Sequence, residues 1–265
     1  MRDISDILRE WPYDPDASVR KLVGEEGREL IQVRTPLGIE QYELVGRPDA
    51  LRPHGFQSAL AYADNQREEA IRRTGSADDF RIDSELASEL QQEGLIFYYR
   101  YLVCFQIGEY DVVVRDTAHN LRMFDLLQAH CDDEEAVSAS EQYRPYVMRM
   151  NAAARTLLAV GQDDYPLARN IIDKALHRIA ALPEVDTQTF DYEKQRSLAI
   201  LRGMKKAIPE VKPVSEEAEL RKELDKVIAE ENYERAAQIR DRLRELTFPR
   251  DESHTQTSDL KSNDE

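Results

Sequence analysis

The apolar residues between positions 215 and 247 recur at a spacing that favours two short helices. In the first half they stand at i, i+4, i+7 and i+8 and so form one stripe of a helix: Leu220, Leu224, Val227 and Ile228. Asn232 interrupts this run, and asparagine favours the position before the first turn of a helix. A second stripe follows, made of Tyr233, Ala236, Ile239, Leu243 and Leu246. The spacing predicts a two-helix hairpin, in which the small side chains of Ala236 and Ala237 allow a close approach.

The polar residues of the second helix make this pattern more specific. After the apolar stripe of the first helix comes the run Glu231-x-Tyr233-Glu234-x-Ala236-Ala237-x2-Arg240-Asp241. Together the two parts resemble the UVR motif, known from the UvrB and UvrC excision-repair proteins, from Clp-type ATPases and from McsA-type adaptors of the bacterial stress response. The resemblance covers about an eighth of the chain and implies a protein-docking hairpin, not a catalytic unit. The alternative is a generic charged helix pair.

The resemblance also implies which residues bind a partner: Leu220, Leu224, Ile228, Tyr233, Glu234, Ala237, Arg240, Asp241 and Leu243. We expect Leu224 and Leu243 in the apolar seam and Tyr233 at the turn. Arg240 and Asp241 are expected to face the partner or to clamp the helices together.

Three functions are compatible with such a hairpin. The first is a non-enzymatic adaptor or scaffold, whose partner is another UVR-containing protein, a Clp-type ATPase or a second copy of the chain in a homodimer. The second is an accessory factor of nucleotide excision repair that acts through UvrB/UvrC-type protein contacts. The third is an enzyme whose site the sequence does not reveal.

The net charge and the hydropathy of the chain limit the classes of partner that it is expected to bind. The formal net charge is −16 and no segment is clearly basic, which disfavours direct binding of nucleic acid. No apolar run approaches the ~18 residues that a membrane-spanning helix needs. The N-terminal stretch has early acidic residues and no apolar signal core, so we expect a cytoplasmic protein without a membrane partner.

No sequence pattern for catalysis or for a cofactor is present. The chain lacks GxxxxGK[ST], GxGxxG and GxSxG, which are typical of nucleotide sites and of serine nucleophiles. None of the five histidines pairs with another His or Cys at ligand spacing, and the CxxC zinc pairs of some McsA-type adaptors are missing. Cys104 and Cys131 are expected to be reduced thiols. We therefore predict no enzymatic activity, no metal and no cofactor.

The N-terminal part alternates with a period of two. Three stretches over about residues 18–46 predict an antiparallel β meander, separated by turns at residues 24–27 and 36–38. A helix around residues 56–73 is expected to cover one face of this sheet. The segment Arg47–Gly55 between them contains two prolines, two arginines and His54. It is either a structural loop or part of a binding groove.

From Asp83 onward the pattern is helical and contains a repeat. Gly108-Glu109-Tyr110-x2-Val113 is similar to Gln162-Asp163-Asp164-Tyr165-x2-Ala168, and both resemble the turn between the helices of tetratricopeptide (TPR) repeats. The tyrosines are 55 residues apart, whereas regular TPR units repeat after about 34. The segment is thus TPR-like or an irregular bundle. One of its helices is expected to run from about residue 136 to 160, with a kink at Pro145.

Three tyrosines lie close together in the first of these helices. Tyr98 and Tyr101 share a helix face with Leu102 and Phe105, and Tyr99 lies between them. Core packing is the favoured interpretation. An aromatic peptide-binding groove on the concave side of the helical layer is the alternative.

The predicted fold is mainly α, with the small β meander, TPR-like helical hairpins and the two-helix UVR hairpin in that order. The predicted domains are residues 1–75, 83–208 and 215–247, followed by a disordered tail at 248–265. The whole layout also resembles a group of bacterial proteins with this arrangement, from which no activity follows. The stretches Trp11–Pro15, Gly46–Asp49, Arg52–Gly55 and Arg144–Val147 carry that resemblance.

Overall fold

The chain is mainly helical, with three strands near its N-terminus, as the sequence predicts. The computed structural model describes residues 3–210, 216–229 and 232–247. The chain divides into two compact units, residues 1–209 and 210–265. The first contains α1 (Ser5–Glu10), β1 (Val19–Val23), β2 (Glu29–Thr35), β3 (Gly38–Glu43), α2 (Ala59–Thr74), α3 (Ser84–Gln106), α4 (Tyr110–His130), α5 (Glu134–Glu141), α6 (Arg144–Gly161), α7 (Tyr165–Ala180) and α8 (Gln188–Ala207). The second contains α9 (Glu216–Ala229) and α10 (Tyr233–Thr247). The predicted tail, residues 248–265, lies outside the described residues.

The three strands form the predicted antiparallel meander in the order β1-β2-β3. The register pairs Val19 with Val33 and Val33 with Glu40. Because side chains alternate between the two faces of a strand, Ile31 points to one face of the central strand and its neighbours point to the other. Ile31 is fully buried and packs in one core with Tyr101 and Val113 of the helical layer.

A buried ion pair joins the sheet to the helices. Arg100 of α3 and Asp116 of α4 both have side chains with 0% exposure, and two hydrogen bonds of 2.7 Å connect them. The Arg100 guanidinium also donates to the carbonyl oxygens of Glu43 at 2.6 Å and Gly46 at 2.8 Å, directly after β3. The core and this ion pair both cross the boundary expected between residues 75 and 83. That boundary stays a prediction.

The repeat seen in the sequence corresponds to a repeated turn. Gly108, between α3 and α4, and Asp163, between α6 and α7, both have a positive φ, of 82° and 57° respectively. In each turn the next residue donates its amide to the carbonyl five residues earlier at 2.9 Å, as in a Schellman cap. Aspartate is one of the few residues other than glycine that adopts this conformation readily. The turns support two similar helix pairs, and the TPR likeness stays an interpretation.

The expected kinked helix over residues 136–160 is wrong. The chain forms α5 and α6 instead, with a turn at Gln142 and Tyr143. Pro145 lies in the first turn of α6, where a missing amide hydrogen breaks no helical hydrogen bond. Proline therefore begins a helix here.

The last helices of the first unit pack around a separate apolar cluster. Ile172 and Ile179 of α7 and Leu201 of α8 are fully buried in it. Thr187 caps the start of α8 by accepting a hydrogen bond from the amide of Phe190 at 3.1 Å. Within the described part of the chain, none of the helices is long and apolar enough to cross a bilayer.

Candidate docking site

The turn of the C-terminal hairpin is built around Asn232. Its side-chain oxygen accepts a hydrogen bond from the amide of Arg235 at 3.2 Å, which is the helix-capping role that the sequence predicts. The Asn232 amide in turn donates to the carbonyl of Val227 at 2.8 Å. One residue therefore ends α9 and begins α10.

The two helices meet along a short apolar seam. Val227 of α9 and Ala236 and Ile239 of α10 are buried. Leu220, Leu224 and Leu243 are half-buried and pack against these three. The seam confirms the expected placement of Leu224 and Leu243. The Tyr233 side chain, expected to close the turn, lies outside the described residues.

Two apolar residues that were expected between the helices, Ile228 and Ala237, lie outside the seam. Ile228 is 39% exposed, and Ala237 is exposed next to the buried Ala236. Successive residues of a helix are about 100° apart around its axis. Because Val227 and Ala236 point directly at the opposite helix, the residue after each points to one side. The prediction that Ala237 allows close approach is wrong, and Ala236 alone has that position.

One side of the hairpin is covered by an ion pair. Arg235 of α10 donates to the carboxylate of Glu223 in α9 from two nitrogens, at 3.1 and 2.9 Å. A third nitrogen of Arg235 donates to the Gln238 side chain at 3.1 Å. This interhelical contact was not predicted from the sequence, because it depends on the register that the turn imposes.

The opposite side carries the exposed apolar residues, and we call it the Ile228 face. Counted at 100° per residue from the seam, Leu224 and Ile228 turn to the same side of α9. In the antiparallel α10, Ala237 and Arg240 turn to that same side, away from Glu223 and Arg235. Ala237 and Arg240 are exposed. The Ile228 face is thus apolar at its centre, with a cation beside it.

The remaining residues that were predicted to bind a partner lie either at the surface or in the seam. Glu234 and Asp241 are exposed, whereas Leu220 belongs to the seam. Within the described residues, Arg240 and Asp241 form no clamp between the helices. Their role in binding a partner stays a prediction.

The basic loop Arg47–Gly55 is held by carboxylates of the first unit, of which Glu93 is buried. Arg47 donates to the Glu93 carboxylate at 2.7 Å and to Asp49 at 2.8 Å. The ring of His54 lies 2.8 Å from Glu89 and stacks on Tyr62 with 4.1 Å between ring centroids. These contacts favour the interpretation of the segment as a structural loop.

Glu93 is the centre of that arrangement. Its fully buried carboxylate accepts hydrogen bonds from the amides of Ala59 at 2.6 Å and Leu60 at 3.0 Å, at the start of α2. His119 lies 3.0 Å from the same carboxylate. Burial raises the pKa of the Glu93 carboxyl, but the hydrogen bonds from His119 and the two amides outweigh it, so the pKa lies below its ordinary value.

The three tyrosines of α3 have different surroundings. Tyr101 is buried beside Tyr146, and Tyr98 stacks edge-on against both rings. Tyr99 is exposed. The position of Tyr101 agrees with core packing, whereas Tyr99 remains available at the surface.

No arrangement for metal binding occurs among the described residues: no three His, Cys, Asp or Glu side chains come together to hold an ion. Both cysteines are free, and burial raises the pKa of the Cys104 thiol to about 12.

A cleft of about 430 Å³ lies between α5, α6 and the segment that joins α7 to α8. Two of its carboxylates are already paired, Glu141 with Arg144 and Glu184 with Lys194.

Comparison with known proteins identifies the hairpin. The sequence family described as the UvrB/uvrC motif matches residues 218–246, which lie within α9 and α10 and the turn between them. No curated protein and no solved structure matches the chain. The protein therefore contains a UVR motif, an element of protein interaction, in its C-terminal hairpin.

Proposed function

We propose that the protein is a non-enzymatic adaptor or scaffold that docks a partner protein through the Ile228 face of its UVR hairpin. The observation that carries this proposal is the placement of Ile228. The seam leaves this large apolar side chain exposed beside the half-buried Leu224 and the exposed Ala237. The other side of the hairpin is already covered by the pair of Glu223 and Arg235.

The energetics of a two-helix hairpin support docking. Three buried and three half-buried apolar residues form the seam, and helices of about 15 residues are marginal in water without tertiary packing. Burial of a completely exposed isoleucine contributes about 1.5–3 kcal/mol. Covering the 39% of Ile228 that is exposed would therefore contribute about 1 kcal/mol. A partner that covers the Ile228 face would therefore stabilise the hairpin as it binds.

The partner is expected to be a protein with an amphipathic helical surface. Its apolar residues would cover Ile228 and Ala237, and an acidic residue would lie within reach of Arg240. Another UVR-containing protein, a Clp-type ATPase and a second copy of this chain are the candidates. Direct binding of nucleic acid is not part of the proposal, because the chain carries a formal charge of −16.

A second candidate function is suggested by the family match. The UvrB/uvrC motif takes its description from two excision-repair proteins. An accessory role in nucleotide excision repair would use the same face, with a UvrB- or UvrC-type protein as the partner. The two proposals differ only in which purified partner the hairpin captures.

Two neighbouring substitutions test the face. Ala237→Glu places a charge on the Ile228 face, whereas Gln238→Glu places the same charge on the adjacent exposed position, about 100° away. The full chain and both variants are immobilised and titrated with a purified UvrB-type protein, a Clp-type ATPase and a differently tagged second copy.

We expect Ala237→Glu to weaken capture at least tenfold and Gln238→Glu to change it less than twofold. Circular dichroism checks that both variants keep the helix content of the parent chain. Equal effects of the two variants would exclude the Ile228 face as the docking surface. Capture of none of the three partners would contradict the adaptor proposal for these partner classes.

A further inference from the structure

An arginine in the helical layer is buried with most of its donors unused. The Arg149 side chain of α6 is 9% exposed. Its Nε donates to the hydroxyl of Ser197 in α8 at 3.2 Å, and its guanidinium lies 4.9 Å from the centre of the Tyr146 ring. Within the described residues, the two terminal nitrogens make no hydrogen bond.

Two other arginines of the same unit show what is unusual about Arg149. Arg100 makes four hydrogen bonds, two to Asp116 and two to backbone carbonyls. All three guanidinium nitrogens of Arg144 donate hydrogen bonds to the carboxylates of Glu141 and Asp125. The terminal nitrogens of Arg149 are not among the buried atoms that lack a partner, so they keep contact with solvent and remain within reach of a ligand. Burial lowers the pKa of Arg149.

The nearest carboxylate does not fill these donors. Glu193 of α8 lies 3.6 Å from a terminal nitrogen of Arg149, and its other oxygen lies 3.6 Å from Arg196. Both distances exceed those of a protein hydrogen bond. The Glu193 oxygen that faces Arg149 is buried and has no hydrogen-bond partner among the described residues. One carboxylate therefore forms an ion pair with each of two guanidinium groups, without a hydrogen bond to either.

We propose that Arg149 and Arg196 form a binding site for an oxyanion, a carboxylate or a phosphate, and that Glu193 competes for this site from within the chain. Terminal guanidinium nitrogens present two parallel N–H groups, which match the paired oxygens of carboxylates and phosphates. The two arginines and one glutamate leave a local charge of +1 in a chain whose formal charge is −16. The site lies on α6 and α8 and is independent of the hairpin.

The experiment titrates the full chain with inorganic phosphate and, in a separate arm, with acetate, while chloride keeps the ionic strength constant. Binding is followed by the amide resonances of residues 146–150 and 193–197. We expect saturable shifts in these segments for at least one anion. The arm that saturates at lower concentration distinguishes phosphate from carboxylate.

Glu193→Gln removes the internal competitor and should tighten binding at least tenfold. Glu184→Gln is the matched control, because it removes the same charge from an exposed carboxylate that is paired with Lys194, and it should change the affinity less than twofold. Arg196→Gln, on a half-exposed side chain, should weaken binding about threefold to tenfold. Glu184 and Arg196 are exposed, so their replacement avoids the loss of stability expected when the buried Arg149 is replaced.

Three results would overturn the proposal. The first is an unsaturable response that follows ionic strength alone. The second is an equal gain of affinity in Glu193→Gln and Glu184→Gln, which would reflect general charge. The third is anion binding by the Glu193→Gln variant but not by the parent chain. A cavity created by the substitution would then explain the binding.

Discussion

The two units of the protein use charged residues in opposite ways. The first unit places Arg100, Asp116 and Glu93 in its interior, where each side chain has 0% exposure and several hydrogen-bond partners. The hairpin has an apolar seam, and its ion pair of Glu223 and Arg235 is exposed. Buried charges tie distant segments together at a cost in desolvation, whereas an exposed pair adds little.

This difference indicates how each unit obtains its stability. The first unit holds its buried Arg100, Asp116 and Glu93 with hydrogen bonds from other segments of the same unit. The hairpin leaves Ile228 exposed over a thin seam, so covering this residue would add to the stability of the hairpin. Four variants test this contrast, and their expected effects decrease from Arg100→Met to Glu223→Gln.

The largest effect is expected from Arg100→Met. The substitution leaves Asp116 charged, buried and unpaired, and it removes the donors that hold the carbonyls of Glu43 and Gly46. Loss of one member of a buried pair costs about 3–5 kcal/mol. We expect chemical denaturation to show this loss for the first unit. Arg72→Met, at an exposed position of α2, should cost less than about 0.5 kcal/mol. Equal losses would contradict the contrast between buried and exposed charges.

Glu93→Gln should have the next largest effect, and the effect should depend on pH. The folded pKa of Glu93 lies below its ordinary value of 4.5, so the charged carboxylate stabilises the fold above that pH. This contribution is lost as pH falls through the folded pKa. Hydrogen bonds to a charged group contribute about 1.5–3 kcal/mol, and the variant should lack much of this at neutral pH.

The measurement for Glu93 is the free energy of unfolding between pH 3 and pH 7. The gap between parent chain and variant should be constant above about pH 4.5 and should narrow below it. Glu68→Gln, at an exposed position of α2, is the control and should give parallel curves. A difference in the free energy of unfolding that does not depend on pH would show that the charge of Glu93 adds nothing to the stability of the fold.

Leu224→Ala should affect the hairpin alone. Truncation of a buried leucine costs about 2–5 kcal/mol, and Leu224 is half-buried, so we expect about 1–3 kcal/mol. The hairpin cannot absorb this loss, and partner capture should disappear while residues 1–208 stay folded. Limited proteolysis followed by mass spectrometry separates the two outcomes. Unfolding of the whole chain, or unchanged capture, would refute an independent docking hairpin.

The smallest effect is expected from Glu223→Gln. The substitution removes the charge that faces Arg235 on the exposed side of the hairpin, and such pairs contribute about 0.2–1 kcal/mol. Thermal unfolding of the hairpin should shift slightly at low salt and not at high salt, because salt screens exposed charges. Capture of the partner should not change. A loss of partner capture as large as that expected for Leu224→Ala would place the docking surface on the Glu223 side of the hairpin.

Periodicity predicts much of this structure, because it records which faces are buried. The alternation around Ile31 indicates the central strand, and the spacing from Leu220 to Leu243 indicates both helices of the hairpin. Such a pattern does not decide which of two neighbouring apolar residues is buried. Val227 and Ile228 both fit the apolar stripe, and only the path of the opposite helix decides that Val227 is buried and Ile228 is not.

The polar contacts could not be predicted in the same way. Arg100 and Asp116 are 16 residues apart, and Arg100 lies 57 residues from the carbonyl of Glu43. In the sequence such residues look like members of a solvated helix face. Their burial depends on how sheet and helices pack, and no local pattern encodes that packing. The Arg149 donors that lack a hydrogen bond are undetectable in the sequence for the same reason.

The carboxylate at the start of α2 has a further consequence for local opening. The first amides of a helix have no acceptor within the helix and usually exchange their hydrogens with water fastest. In this protein the amides of Ala59 and Leu60 are bound by a buried anion that belongs to α3. Fraying of α2 at this end would expose that anion, so these amides should exchange as slowly as the interior. The start of α2 and the middle of α3 should then open together as one cooperative unit.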